Sequence, residues 1–345
     1  MPLLQKRLGA TDGEITLPDG SAHYTFGFAD LTGLPENEVY SRRGQAMLVA
    51  PLLQTSVGSR LELTLTNLGL PQRPDLDDSH TIHWHGFPNQ IPLWDGVPEA
   101  SLSVPVGRDF VYYYEPLHPG TYMYHCHFEP VEHIQMGMVG PLIVHPPDYN
   151  PADRATWTAY GSGTGTAYDR EYFLLLTELD PVAHADVHNV QQFDWTEYRP
   201  AYWLINGRSY PDTLRTSADG DLAAQPHPSL IQANAGERVL LRFINLGFQE
   251  HAVTVVGLSL RMVAADARLL RGMHGEELSR PQEVLYFAPG QTADVLLEPA
   301  QPGLYPLVER GYHKNCNKGV APGGIMTHVQ VHPAGTLPPQ AKPGW

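Results

Sequence analysis

The sequence predicts an all-β chain of two Greek-key β-sandwich domains. An internal repeat splits it into two similar halves, and short runs of alternating apolar and polar residues separated by turns fill both halves. Sustained helical periodicity is lacking. The repeat shows in three places, in the same order. LLQTSVGSRLELTLTNLG (52–69) matches LIQANAGERVLLRFINLG (230–247). Gly107 through Glu115-Pro116 to Gly120-Thr121-Tyr122 matches Gly290 through Glu298-Pro299 to Gly303-Leu304-Tyr305. Both halves close on His-Pro, at His145-Pro146 and His332-Pro333. Single matches of this kind arise by chance, whereas three in register do not.

The halves read as domain 1, residues 1–147, and domain 2, residues 201–334. Residues 148–200 form a linker containing GSGTGTAYD and the first strand of domain 2, EYFLLLTELD; residues 335–345 are a tail. Strand-like runs are LELTLTNL, FVYYYEP, TYMYHCH and GPLIVHP in the first half. VLLRFINL, HAVTVVG, DVLLEP and MTHVQVH are their counterparts in the second. A length of 345 residues suffices for two such domains, each with its own core. Glycine and proline number 32 each, below a low-complexity level and suited to many strands joined by turns.

Charge and hydropathy narrow the function classes. Acidic residues outnumber basic ones 37 to 22, which disfavours nucleic acid and anionic membrane, and no Lys/Arg cluster reverses this locally. No apolar run is long enough to span a bilayer, and MPLLQKRLGATDGE lacks the apolar core of a signal peptide. The two cysteines are Cys126 and Cys316; if Cys126 binds a metal, no intrachain disulfide remains.

Two segments carry chemistry: HTIHWHG (80–86) and HCHFEPVEHIQMGM (125–138). One thiolate, two imidazoles and a weak thioether make the trigonal-plus-axial set of a type 1 copper site. Cys126 supplies the thiolate, His133 and His80 the imidazoles, and Met138 the thioether, with Met136 as its rival. Side chains alternate faces along a strand. His125 and His127 therefore share one face and Cys126 takes the other. His83 and His85 likewise share a face, with His80 opposite. His80 can join Cys126, while His83, His85, His125 and His127 form a second, all-imidazole set on the reverse side. A buried cysteine or an isolated HxH is ordinarily structural. Here the spacings are mutually consistent, and copper is the expected cofactor.

At HxxHxHG and HCHx(5)HxxxxM the chain resembles the multicopper oxidases, the laccase-like family, in their two-domain bacterial form. The resemblance covers most of the chain and implies cupredoxin-like domains. It implies one-electron oxidation of a small reducing substrate or redox protein at the type 1 copper. Electrons then pass through His125-Cys126-His127 to a cluster that reduces dioxygen. By that likeness His83 is a type 2 ligand, His85, His125 and His127 are type 3 ligands, and Asp95 in LWDGVP assists proton delivery. The likeness also implies a homotrimer and an extracytoplasmic, periplasmic or secreted, location. The His133 loop is two residues longer than the usual laccase spacing. A trinuclear cluster needs eight histidines, four from each of two domains. In domain 2, however, His83 and His85 correspond to Thr254 and Val256, and His-Cys-His to Val308, Glu309 and Arg310. Domain 2 reads as copper-free, and the second copper centre as one of reduced nuclearity. His251 or His313 could complete it across a subunit interface; an ordinary core or loop role is the simpler reading. Two other readings remain: an electron-transfer or copper-binding cupredoxin without oxidase turnover, and a nitrite-reductase-like enzyme.

Overall fold

In the computed structural model, residues 3–189, 192–216 and 220–341 are described. The first half contains β1 (Leu3–Thr16), β2 (Ala22–Asp30), β3 (Leu53–Ser56), β4 (Arg60–Gly69), β5 (His83–His85), β6 (Asp109–Tyr114), β7 (Gly120–His125) and β8 (Val139–His145). They form two facing four-stranded sheets, β2-β1-β4-β6 and β3-β8-β7-β5. The second half contains β9 (Arg170–Leu179), β10 (Tyr202–Ile205), β11 (Ile231–Asn234), β12 (Val239–Asn245), β13 (His251–Val255), β14 (Leu260–Ala265), β15 (Arg268–Leu269), β16 (Arg280–Gln282), β17 (Leu285–Phe287), β18 (Thr292–Leu297), β19 (Gly303–Glu309) and β20 (Met326–His332). Its sheets run β10-β9-β12-β18-β14-β15, with β16 on β14, and β11-β20-β19-β13-β17. The repeat recurs in the pairing. β1 with β4 and β3 with β8 are parallel, as are β9 with β12 and β11 with β20. The result is two cupredoxin-like β-sandwiches.

Strand alternation explains both cores. In β4, Leu61, Leu63 and Leu65 point inward and are fully buried, while Arg60, Glu62 and Thr64 between them are partly exposed. Strand β7 is buried on both sides, for two different reasons. Tyr122, Tyr124 and Cys126 join the domain 1 core. Thr121, Met123 and His125 face domain 2. There Met123 packs with Val49, Val139, Phe173, Leu175, Ile244 and Leu246. Thr121 Oγ1 donates to Asp294 (2.5 Å) and accepts from Arg242 (2.9 Å), which also pairs with Glu171 (2.5 Å). Arg242, Glu171 and Asp294 are all at most 1% exposed, so a buried ionic cluster pins β7 to the second sandwich.

The helices are short: α1 (Pro92–Asp95), α2 (Pro130–Met136) and α3 (Pro181–His188). All three begin on proline, whose fixed φ and missing N–H suit a first helical turn. The sequence reading contained no helix between Cys126 and Met138; α2 fills that stretch, with Gly137 ending it at φ 120°. It also ran the first histidine segment as one strand, but only His83–His85 is strand. His80 sits in a separate bridge to Val104.

Candidate metal centres

The first centre lies inside the domain 1 sandwich. His80, Cys126 and His133 are each 0% exposed, and their ligand atoms lie within 4.8 Å of one another. Cys126 Sγ is 3.3 Å from His133 Nδ1 and 3.9 Å from His80 Nδ1. Three elements set this geometry: the end of β7 delivers Cys126, α2 delivers His133, and the Val104 bridge holds His80. The Thr81 amide donates to the sulfur (3.5 Å). Met138 is tied to both neighbours, its N–H donating to the His133 carbonyl (2.9 Å) and its carbonyl accepting from Cys126 N–H (3.1 Å). Met136 is equally buried, within α2.

The donor chemistry fits copper. Burial pushes the Cys126 thiol up to about 11, so a metal must displace its proton. Burial also drives His133 down to about 3, and His80 well below the ordinary imidazole range. Both rings are therefore neutral, each keeps one nitrogen lone pair for a metal, and Nδ1 is the nitrogen that faces the sulfur. A buried sulfur and two imidazole nitrogens that converge suit a soft, redox-active ion.

The second centre lies on the reverse face of the same strands. His83 stands directly opposite His125 across β5 and β7. Ligand atoms of His83, His85 and His125 lie within 4.8 Å of one another. His83 Nδ1 donates to the Asp95 carbonyl (2.7 Å) and His125 Nδ1 to the Cys126 carbonyl (2.8 Å), so each ring presents Nε2. His85 Nδ1 is 3.4 Å from His125 Nε2. His127 flanks the trio, its ring 5.1 Å from that of His83, and its buried Nδ1 has no hydrogen-bond partner. Burial lowers His83 and His85, and takes His125 down to about 3.

Asp95 reaches this centre through His83, its carboxylate 3.4 Å from Nδ1. Gly96 makes the approach possible: at φ 76°, a Cβ there would sit 2.0 Å from the Ile82 carbonyl oxygen. Domain 2 closes the other side. Leu246, Gly247, Phe248, Pro289 and Gly290, with Pro130 and Ile134, complete a cleft of about 330 Å³ over the four histidines. Gly290 lies against His85, 3.2 Å from its Cε1 to a Cβ built on the glycine. This rim brings no metal-binding side chain.

Domain 2 carries different residues at the corresponding positions. Thr254 stands opposite Val308 as His83 stands opposite His125, and Val308 opposite Met326 as His125 opposite Val139. His251, Glu309 and Ile325 thereby occupy the places of His80, Cys126 and Met138. His251 Nδ1 pairs with Glu309 (2.9 Å), and Glu178 lies 4.0 Å from Nε2. His251 is 0% exposed, enclosed between two carboxylates, and cannot reach another subunit. His313 is exposed and edge-on to Trp203, and Cys316 is a free thiol. Among the described residues, every grouping of His, Cys and acidic side chains close enough to share an ion lies in domain 1.

Sequence reasoning missed the surroundings of His133. Asp78 Oδ2 is 3.9 Å from its Nε2, and Glu129 and Glu132 lie beside it. Burial, followed by neighbouring negative charge, pushes Asp78 up to about 6 and Glu132 up to about 7. Asp78 is two residues before His80, so proximity in sequence was the available signal.

These shifts set the acid stability of the copper-free protein. His125, His133 and His145 sit near 3, His23 and His227 near 4, and His80 well below normal. Unfolding returns each to about 6.5. The unfolded chain then binds more protons, so stability falls as pH drops below about 6.5. Asp12, Asp78, Glu132, Glu171 and Glu178 are raised and act oppositely, but they are five against ten, since His83, His85, His184 and His328 are lowered as well. The melting temperature of the copper-free protein is expected to fall between about pH 6.5 and 5; a flat or rising profile by calorimetry would contradict this.

Comparison with known proteins agrees with the geometry. Residues 36–149 and 170–331 match two family models, both described as multicopper oxidase. The chain is 28% identical to a putative laccase-17 of Oryza sativa subsp. japonica, over 76% of this chain and 41% of that one. It is 29% identical to laccase-12 of Arabidopsis thaliana, over 79% and 43%. It thus spans about two-fifths of the length of these curated relatives. A blue copper oxidase from Nitrosomonas europaea superposes with TM-score 0.73 at 25% identity, covering 95% of this chain and 86% of that one. A copper nitrite reductase from the same organism has TM-score 0.68 at 19% identity, covering 99% and 98%, a likeness of fold. With a His-Cys-His set converging in its first sandwich and matches over both halves, the chain belongs to the multicopper oxidase family, and copper is its metal.

Proposed function

We propose that the protein is a copper oxidoreductase that takes single electrons from a reducing substrate at the His80–Cys126–His133 site and passes them to a second, histidine-bound copper centre. The observation that carries this is the His125-Cys126-His127 tripeptide. Its sulfur belongs to one donor set and its flanking imidazoles to the other, so covalent bonds join the two sites. Copper bound at these sets supplies one-electron redox chemistry. His80, Cys126 and His133 would hold the first ion, with Met138 as a further donor. His83, His85 and His125 would hold the second, with His127 beside them. Asp95 orients His83 through its backbone carbonyl, and its carboxylate, 3.4 Å from the same Nδ1, is the proton donor in this reading.

Dioxygen is the acceptor in this reading, at a centre smaller than a trinuclear cluster. Both imidazoles of the first site are fully buried, and His133 lies beneath Asp78, Glu129 and Glu132. Electrons from neutral or cationic donors are therefore favoured over those from anionic ones. The likeness to two-domain oxidases supports a homotrimer, readable by sedimentation velocity, and an extracytoplasmic location, readable by fractionation.

The test is anaerobic reduction followed by an oxygen pulse, with copper counted per chain. Return of the oxidised type 1 signal and two or more coppers are expected. His85→Ala is expected to keep the thiolate-to-copper colour, lose copper from the second site and fail to reoxidise. One copper per chain, or a type 1 site that stays reduced, leaves only an electron-transfer cupredoxin. Three convergent imidazoles also suit a mononuclear nitrite-reducing centre. Reoxidation by nitrite but not by oxygen would favour that alternative.

A further inference from the structure

The domain 2 side of the histidine cleft offers no donor to an anion. It is formed by Leu246, Gly247, Phe248, Pro289 and Gly290. Backbone N–H groups on such a rim readily make an anion-binding hollow, yet each one here is turned elsewhere. Leu246 donates to the Leu176 carbonyl (3.1 Å) and Gly290 to the Asn245 carbonyl (2.9 Å). Gly247 donates to Asn245 Oδ1 (3.0 Å). Phe248 donates to Glu178 Oε2 (2.9 Å), and Gln249, next in the chain, to Glu178 Oε1 (2.8 Å). Pro289 has no N–H, and the rim brings no Lys or Arg.

Glu178 stands near the end of β9 and is buried. Both of its oxygens accept from loop amides, the acceptor-only pattern of an ionised carboxylate. Gly247 lets it approach: a Cβ there would collide with Glu178 Oε2. We propose that Glu178 is a positioning residue for the second copper centre. It holds residues 246–249 so that their apolar side chains, and not their amides, line the cleft, and thereby selects small uncharged ligands over anions. A buried negative charge behind the rim acts in the same direction. The selectivity rests on the reading of the four-histidine set as a copper site; the anchoring of the loop does not.

The test is titration of the copper-loaded protein with azide, followed by its charge-transfer band at the second centre, and of the reduced protein with carbon monoxide. Glu178→Gln keeps one acceptor and turns an NH2 group toward the other amide, so one rim N–H is released. Gly247→Ala keeps the charge and displaces the loop. Azide affinity is expected to rise about tenfold in Glu178→Gln, the factor that one hydrogen bond to a charged group contributes. It is expected to rise in Gly247→Ala as well, with carbon monoxide affinity unchanged in both. An unchanged azide affinity, or equal changes for azide and carbon monoxide, overturns the proposal. A rise in Glu178→Gln alone overturns the positioning role, since charge would then act without the loop. If the unaltered protein gives no azide band and holds no copper at the second centre, the reading of that centre fails instead. Amide hydrogen exchange in the copper-free chain decides the anchor in every case: it is overturned if Phe248 and Gln249 exchange no faster in Glu178→Gln.

Discussion

Replacing Cys126 by serine is expected to abolish the thiolate-to-copper absorption and to empty the first site. Sulfur is the soft donor of the set, and a serine hydroxyl does not ionise in a core that already pushes the thiol up to about 11. His80 and His133 remain, but two imidazoles without an anion bind copper far less tightly. The loss should exceed the roughly 10–100-fold that follows removal of an outer hydrogen-bond partner. Oxidation of any reductant at this site should fall to background, since the covalent route from the thiolate to His125 and His127 is cut. Copper in the second centre should stay, because His125 and His83 keep their backbone carbonyl partners. Copper analysis with visible and paramagnetic resonance spectra checks all three points. A serine variant that stays coloured refutes the assignment.

The second large effect concerns stability. Arg242→Met is expected to destabilise the protein by about 3–5 kcal/mol, because it leaves the buried carboxylates of Glu171 and Asp294 without their cation. Burial already raises Glu171 even with the guanidinium present. Without it the folded-state pKa rises further above the unfolded value. A carboxyl with a raised folded pKa favours folding at low pH and loses that contribution as pH climbs through it. The deficit should therefore be largest above neutrality and shrink on acidification, a dependence that chemical denaturation at several pH values would show. A pH-independent deficit would mean that packing, rather than charge, is lost. Thr121 also loses its Arg242 bond, so loosening should extend along β7 toward His125.

Much of this arrangement is legible in the sequence. Period-two alternation sends Cys126 inward and His125 outward, and although β7 ends at His125, two residues short of the run read from the sequence, the rule still holds for the residue that follows it. The repeat identifies Thr254, Val308 and Glu309 as the counterparts of His83, His125 and Cys126, and the strand registers place them so. What was not legible depends on contacts between distant segments. The α2 helix is a single short turn-rich element whose seven residues are too few for a periodic signal. His80 lies outside the strand it was assigned to, held by a bridge to a residue 24 positions away. The apolar rim of Leu246, Phe248 and Pro289 over the histidines follows from how two sandwiches dock, which no local pattern encodes. The carboxylates beside His133 were visible as letters, but their convergence required the fold.

The enclosure of His251 between Glu309 and Glu178 means that the two sandwiches meet copper scarcity differently. In domain 2 the buried His251–Glu309 pair closes the position that His80 and Cys126 hold in domain 1 with the chain's own side chains. Domain 1 ends with a protonated thiol and imidazoles awaiting delivery of a metal. Starvation should therefore leave a half-finished molecule rather than an unfolded one.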